Sequence, residues 1–134
     1  MDLESASRHL GEWKVKVLVS GGKRFADLKL LDRALDTLHR RKRIQLLVTG
    51  GQPGAQEMAY YWALRNRIKF IVVFPMQPDL AGKLDFSRWN HDVLKQFKLD
   101  GLVTFPGRAE TDHLVDLAES IGLRVWQVPT GWRG

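Results

Sequence analysis

A chain of 134 residues, 44% hydrophobic and 27% charged, has the composition of one ordinary globular domain, long enough to bury about two-thirds of its unfolded surface. Its formal net charge of +6 favours polyanions as incidental partners, a matter of solubility and steering before function. No apolar run approaches bilayer length, residues 1–5 carry acidic side chains instead of a signal-peptide core, and the absence of cysteine excludes disulfides, thiolate metal sites and a thiol nucleophile; a cytoplasmic protein without membrane contact is expected.

The pattern predicts five strands alternating with four helices, after a short amphipathic segment over 1–13. The first strand covers 15–20. The first helix opens at Asp27, a suitable N-cap, with the stripe Leu28, Leu31, Leu35 and Leu38 at helical spacing. A second strand over 44–49 leads into a helix over 54–65 that turns Met58, Ala59, Trp62 and Ala63 inward. A third strand, 70–74, is followed by a long connection bearing Pro75 and Pro78. Asp85 or Ser87 then caps a helix ending near Phe97. The fourth strand is 102–105. The fourth helix starts at about Thr111 as its N-cap, carries Leu114, Leu117, Ala118 and Ile121, and stops at Gly122 in the left-handed position. The fifth strand is 125–128. The whole chain, 1–134, reads as one domain with its core over about 14–128; 1–13 and 129–134 are peripheral.

Strand–helix alternation with mostly continuous apolar strands implies an α/β fold, a doubly wound parallel sheet covered on both faces. Three strands end in glycine loops: Ser20-Gly21-Gly22-Lys23-Arg24, Thr49-Gly50-Gly51-Gln52-Pro53-Gly54 and Phe105-Pro106-Gly107-Arg108. Glycine there lets backbone approach an anion, and the following helix adds the positive end of its dipole. The order 3-2-1-4-5 makes strands 2, 1 and 4 neighbours, so that their loops share one rim at the topological switch point. In the order 2-1-3-4-5 the third strand would separate them. The first order is therefore expected.

These loops resemble the SLOG superfamily, the Rossmann-like group of the DprA/Smf and LOG proteins, and most closely its small branch related to YspA and YpsA. Val-Ser-Gly-Gly-Lys-Arg-Phe (19–25) is similar to that branch's Gly-Gly-Arg-x-Phe loop. The segment 49–56 is similar to its His-Gly-Gly-Ala-x-Gly-Ala-Asp block, and 105–111 to the superfamily's Pro-Gly-Gly-x-Gly-Thr loop. Thr49 and Gln56 stand where the branch has histidine and aspartate, and Arg108 and Glu110 replace two glycines. LOG-type hydrolases carry a glutamate three residues after the threonine of the third loop, and that position here is Leu114.

The resemblance implies a module that binds or senses a nucleotide or nucleotide-derived anion without strong catalysis. The ligand-binding set is Ser20, Gly21, Gly22, Lys23, Arg24, Thr49, Gly50, Gly51, Gly54, Pro106, Gly107, Arg108 and Thr111. Asn90 joins it because the branch has an Arg-Asn pair where this chain has Arg88-Trp89-Asn90. No catalytic residue is assigned, and no cofactor. A phosphoribohydrolase-like nucleosidase is the alternative, with Glu110, Glu57 and Asp27 the carboxylates near the rim. A DprA-like nucleic-acid binder is the third reading. The basic run at 39–43 would serve it, although cations at a helix end also offset the dipole. A homodimer through helix faces is implied by resemblance alone. His9, His39, His91 and His113 show no metal-ligand spacing, so no metal is expected.

Overall fold

The computed structural model describes residues 14–134, so the amphipathic segment expected over 1–13 lies outside the described residues. Five strands, β1 (Lys14–Ser20), β2 (Arg43–Thr49), β3 (Phe70–Val73), β4 (Gly101–Thr104) and β5 (Arg124–Gln127), alternate with four helices: α1 (Leu28–Arg41), α2 (Ala55–Arg65), α3 (Phe86–Gln96) and α4 (Ala109–Ser120). Every strand pairing is parallel, in the order β3-β2-β1-β4-β5. The fold is Rossmann-like, as the glycine loops require. Among the described residues no helix is long and apolar enough to cross a membrane.

Successive strand residues face opposite sides, and each side has its own core. Val17, Val19, Ile44 and Leu47 pack under α1 and α2 with Leu31, Leu35, Ala59 and Trp62. Leu18, Val48 and Leu102 pack under α3 and α4 with Trp89, Val93, Leu114 and Ala118. The edge strands are less covered: Phe70 and Val73 of β3 are about half exposed, at 51% and 40%. Trp62 is buried, and its indole Nε1 donates to Asp36 Oδ1 at 2.9 Å, which ties α2 to α1.

Three details depart from the sequence pattern. The buried face of α1 is Leu30, Leu31, Ala34 and Leu35, and Leu28 is exposed at its first turn. Helix α4 begins at Ala109 with Arg108 as N-cap, because the Pro106-Gly107 turn reverses the chain immediately after β4; Thr111 therefore lies inside the first turn and caps nothing. Ile121 is the C-cap of α4 and is mostly exposed, since the helix ends before its side chain can turn inward. Gly122 has φ +78°, the left-handed conformation expected after α4.

The end of α1 contains a pH-sensitive cap. His39 Nδ1 accepts from the backbone N–H of Ile44 at 3.0 Å, and its ring stands edge-on to Trp62 at 5.8 Å. Burial lowers its pKa below the usual 6.5 and the Arg43 charge lowers it further, against an opposing pull from Asp36. A histidine whose folded pKa is depressed stabilises the fold above its unfolded value, and that stability is lost as pH falls through the folded value. Thermal melts should therefore show the wild type losing stability below pH 6.5 more steeply than His39→Gln, which cannot take up the proton. Parallel pH profiles of the two proteins would exclude this cap as the titrating group.

Candidate functional site

The loops after β1, β2 and β4 meet at the C-terminal edge of the sheet, backbone against backbone. Gly22 N donates to Pro106 O at 3.0 Å, and Ala55 N donates to Gly22 O at 3.2 Å. A Cβ on Gly21 would lie 2.6 Å from that of Ala55, and one on Gly22 would lie 2.8 Å from Pro106 O. These glycines thus bring the loops into contact with each other. The open space lies on either side of that contact, as two clefts that share Lys23 and Glu110.

The first cleft, on the α3 side, has a cavity of about 110 Å³ lined by Ser20, Gln56, Met76, Trp89, Asn90 and Thr111 among others. Common small-molecule pockets hold roughly 300–1,000 Å³, so this one suits a single ring and not a whole nucleotide. Its polar walls are fixed by internal bonds. Gln56 Nε2 donates to Ser20 Oγ at 3.2 Å while its Oε1 accepts from Gln52 N at 3.0 Å. Asn90 Nδ2 donates to Glu110 O at 3.1 Å and lies 2.9 Å from His113 Nδ1, which accepts. Trp89 Nε1 donates to Phe74 O at 2.7 Å and so sets the indole wall. The long connection folds over this cleft: Pro78 bridges Leu84, Asp79 Oδ1 accepts from Ala81 N and Lys83 N, and Met76 and Leu84 reach the lining.

The second cleft is wider, about 660 Å³, and lies open between Gly22 and Gly107. Lys23, Arg24 and Arg108 line it, all exposed, with Glu110 as its acidic member. The starts of the four helices separate sharply here. Asp27 accepts from Leu30 N for α1, and Asp85 from Ser87 N and Arg88 N for α3. At α2, Ala55 N and Glu57 N donate to Gly22 O and Gln52 O. At α4 no side chain caps the helix, and the first backbone bond is Asp112 N to Arg108 O. Among the described residues, the amides of Ala109, Glu110 and Thr111 therefore have no protein acceptor. An uncapped helix start flanked by three cations attracts negative charge through both amides and dipole.

Residues 15–79 match the model of the YAcAr family, the YspA, cpYpsA-related SLOG family. Over that stretch, a little under half of the chain, the sequence is similar to the SLOG family. The match takes in β1, β2 and β3 with the first two glycine loops; the third loop, α3 and α4 complete the rim beyond it. No curated protein matches the chain.

Within this rim, the residues singled out from sequence fall into three groups. Ser20, Gly21, Lys23, Asn90 and Thr111 line the smaller cleft. Gly22, Lys23, Arg24, Pro106, Gly107 and Arg108 line the open one. Thr49, Gly50, Gly51 and Gly54 line neither. Thr49 is fully buried and its hydroxyl donates to Val19 O at 2.7 Å, joining β2 to β1. Gly50 lies under Gln56 and Trp89, Gly54 lies against Gly22 and Lys23, and Gly51 faces open space. Phe86, Met76 and Leu84 are lining residues that the sequence reading did not single out as contacts. The proline-flanked connection was the available signal for the last two. Among the described residues no cluster of His, Asp and Glu has the grouping to hold a metal ion.

Proposed function

We propose that the rim binds a nucleotide-like anion, with its phosphate at the start of α4 and its base or sugar ring in the smaller cleft. The observation that carries this reading is the set of acceptor-less amides at 109–111 beside Lys23, Arg24 and Arg108. A charge-assisted hydrogen bond contributes roughly 1.5–3 kcal/mol and the helix dipole roughly 0.3–1 kcal/mol more, enough for phosphate to dominate recognition. The reading is one of binding without strong chemistry, because Leu114 is 1% exposed within the α4 core where the LOG-type resemblance places a glutamate.

A nucleosidase remains the second reading, and Glu110 is the observation in its favour. Asp27 is committed to capping Leu30 N, and Glu57 lines neither cleft, whereas Glu110 stands between the two. One experiment separates the readings: calorimetry with AMP, CMP, adenosine and inorganic phosphate, followed by chromatography of the mixtures. Binding predicts that AMP or CMP exceeds adenosine in affinity by at least about tenfold, with no free base released. Free base whose release is lost in Glu110→Gln would establish the hydrolase instead. Equal, negligible heats for all four compounds would remove the phosphate assignment.

A further inference from the structure

We propose that the edge of the sheet opposite the rim is a docking surface for single-stranded nucleic acid. In an all-parallel sheet every strand starts at the same edge, and this chain places cations at nearly all of those starts. Lys14 begins β1, Arg43 begins β2 and Arg124 begins β5, while Lys69 immediately precedes β3. Helix α1 ends at the same edge with Arg40 and Arg41 in its last turn. All six side chains are exposed, and Lys14 and Arg43 are Cα partners across the β1–β2 ladder, like charges held face to face. Among the described residues the ion pairs are Arg65–Asp32 and Arg88–Asp92, which leaves these six without a described carboxylate partner. Asp100, the carboxylate ahead of β4, accepts from Lys16 N at 2.8 Å.

Offsetting helix dipoles explains only part of this charge. Four helices end at this edge, each presenting about half a negative unit, or about two units together, and Asp100 adds about one more, against six cations. The excess forms a stepped row: neighbouring strands lie about 4.8 Å apart, Lys14 and Arg43 are level, and the starts of β3 and β5 pair with Leu46 and, through β4, with Val17. Such an extended cation row suits a linear polyanion. The apolar side chains nearby argue against a bilayer, which needs a continuous apolar face between its cations. Leu64, Phe70 and Ile121 are exposed singly, on three different elements. The Phe70 ring is half exposed with Lys69 Nζ 5.4 Å from its centroid, a stacking platform with its own cation for an unpaired base.

The test is fluorescence anisotropy of labelled oligothymidylate with the intact protein over a series of KCl concentrations. Arg40→Ser/Arg41→Ser/Arg43→Ser should weaken binding at least about tenfold and reduce the salt slope by about two, at about 0.7 per lost phosphate contact. Lys14→Ser/Arg124→Ser should reduce it by about 1.4, and decides the matter if the triple variant does not fold. Phe70→Ala should weaken binding with the slope unchanged. Lys29→Ser/Lys83→Ser, exposed cations that line neither rim cleft, should bind as the wild type does, and excess AMP should leave the oligonucleotide bound, so failure here and failure of the nucleotide reading are separate results. The proposal is overturned by absence of binding at low salt, by edge variants that bind like wild type, by displacement of the oligonucleotide by AMP, or by adsorption to phosphatidylserine vesicles without oligonucleotide binding.

Discussion

Gly54→Ala is expected to destabilise the domain by about 3 kcal/mol, while Gly51→Ala in the same loop changes stability by less than about 0.5 kcal/mol. Gly54 has φ +83° and ψ −132°, a region open essentially to glycine alone, which costs another residue about 1–3 kcal/mol. The added methyl also has nowhere to go. It would lie 2.6 Å from the Lys23 carbonyl oxygen, and nearer still to that of Gly22. Both neighbours are backbone, and Gly22 O accepts from Ala55 N to close the start of α2, so relief would require moving the first loop off the second. Gly51 is exposed, and its nearest neighbour would be Val73 Cγ1 at 3.8 Å, an ordinary contact. For a domain of this size each kcal/mol moves the midpoint by roughly 4 °C, so thermal melts should place Gly54→Ala roughly 10 °C below wild type. Equal melting temperatures for the two variants would mean that the loops do not pack as described.

That contrast marks how far the sequence could be read. Three glycine loops sharing a rim imply the strand order, because only neighbouring strands bring them together, and the order β3-β2-β1-β4-β5 follows. What each glycine does within its loop depends on neighbours from another loop, so Gly51 and Gly54 look alike in sequence and differ in space. Thr49 shows the same limit: one residue before the turn, its side chain faces Val19 and not the clefts, a matter of strand phase at the last rung. The start of α4 is local but depends on how tightly Pro106-Gly107 reverses the chain. The basic edge is the opposite case. Lys14, Arg43, Lys69 and Arg124 are scattered along the sequence, and they become a row only once the strands are known to be parallel. The run at 39–43 was visible beforehand, but the charges that extend it across the sheet were not.

Reversing two rim charges should abolish phosphate recognition while leaving the fold intact. Lys23→Glu/Arg108→Glu is expected to weaken AMP binding at least about 100-fold, whereas the melting temperature stays near that of the wild type. Two charge-assisted hydrogen bonds at roughly 1.5–3 kcal/mol each exceed the roughly 2.8 kcal/mol that a hundredfold requires, even before the new repulsion is counted. Both side chains are exposed and among the described residues neither is in a salt bridge, so the fold loses little. They come from different loops and line one cleft, so their effects should couple through the ligand: the loss in the double reversal should differ from the sum of the two single losses. Arg108→Lys separates charge from geometry, because a lysine keeps the charge and loses the planar fork that grips two phosphate oxygens. A partial loss there, against full loss in the double reversal, would place the phosphate on the guanidinium face at the start of α4. Adenosine supplies the internal control, since it presents no phosphate and should respond weakly to all of these changes. If AMP affinity instead survives the double reversal, negative charge is not held between the first and third loops, and the acceptor-less amides of α4 serve only water.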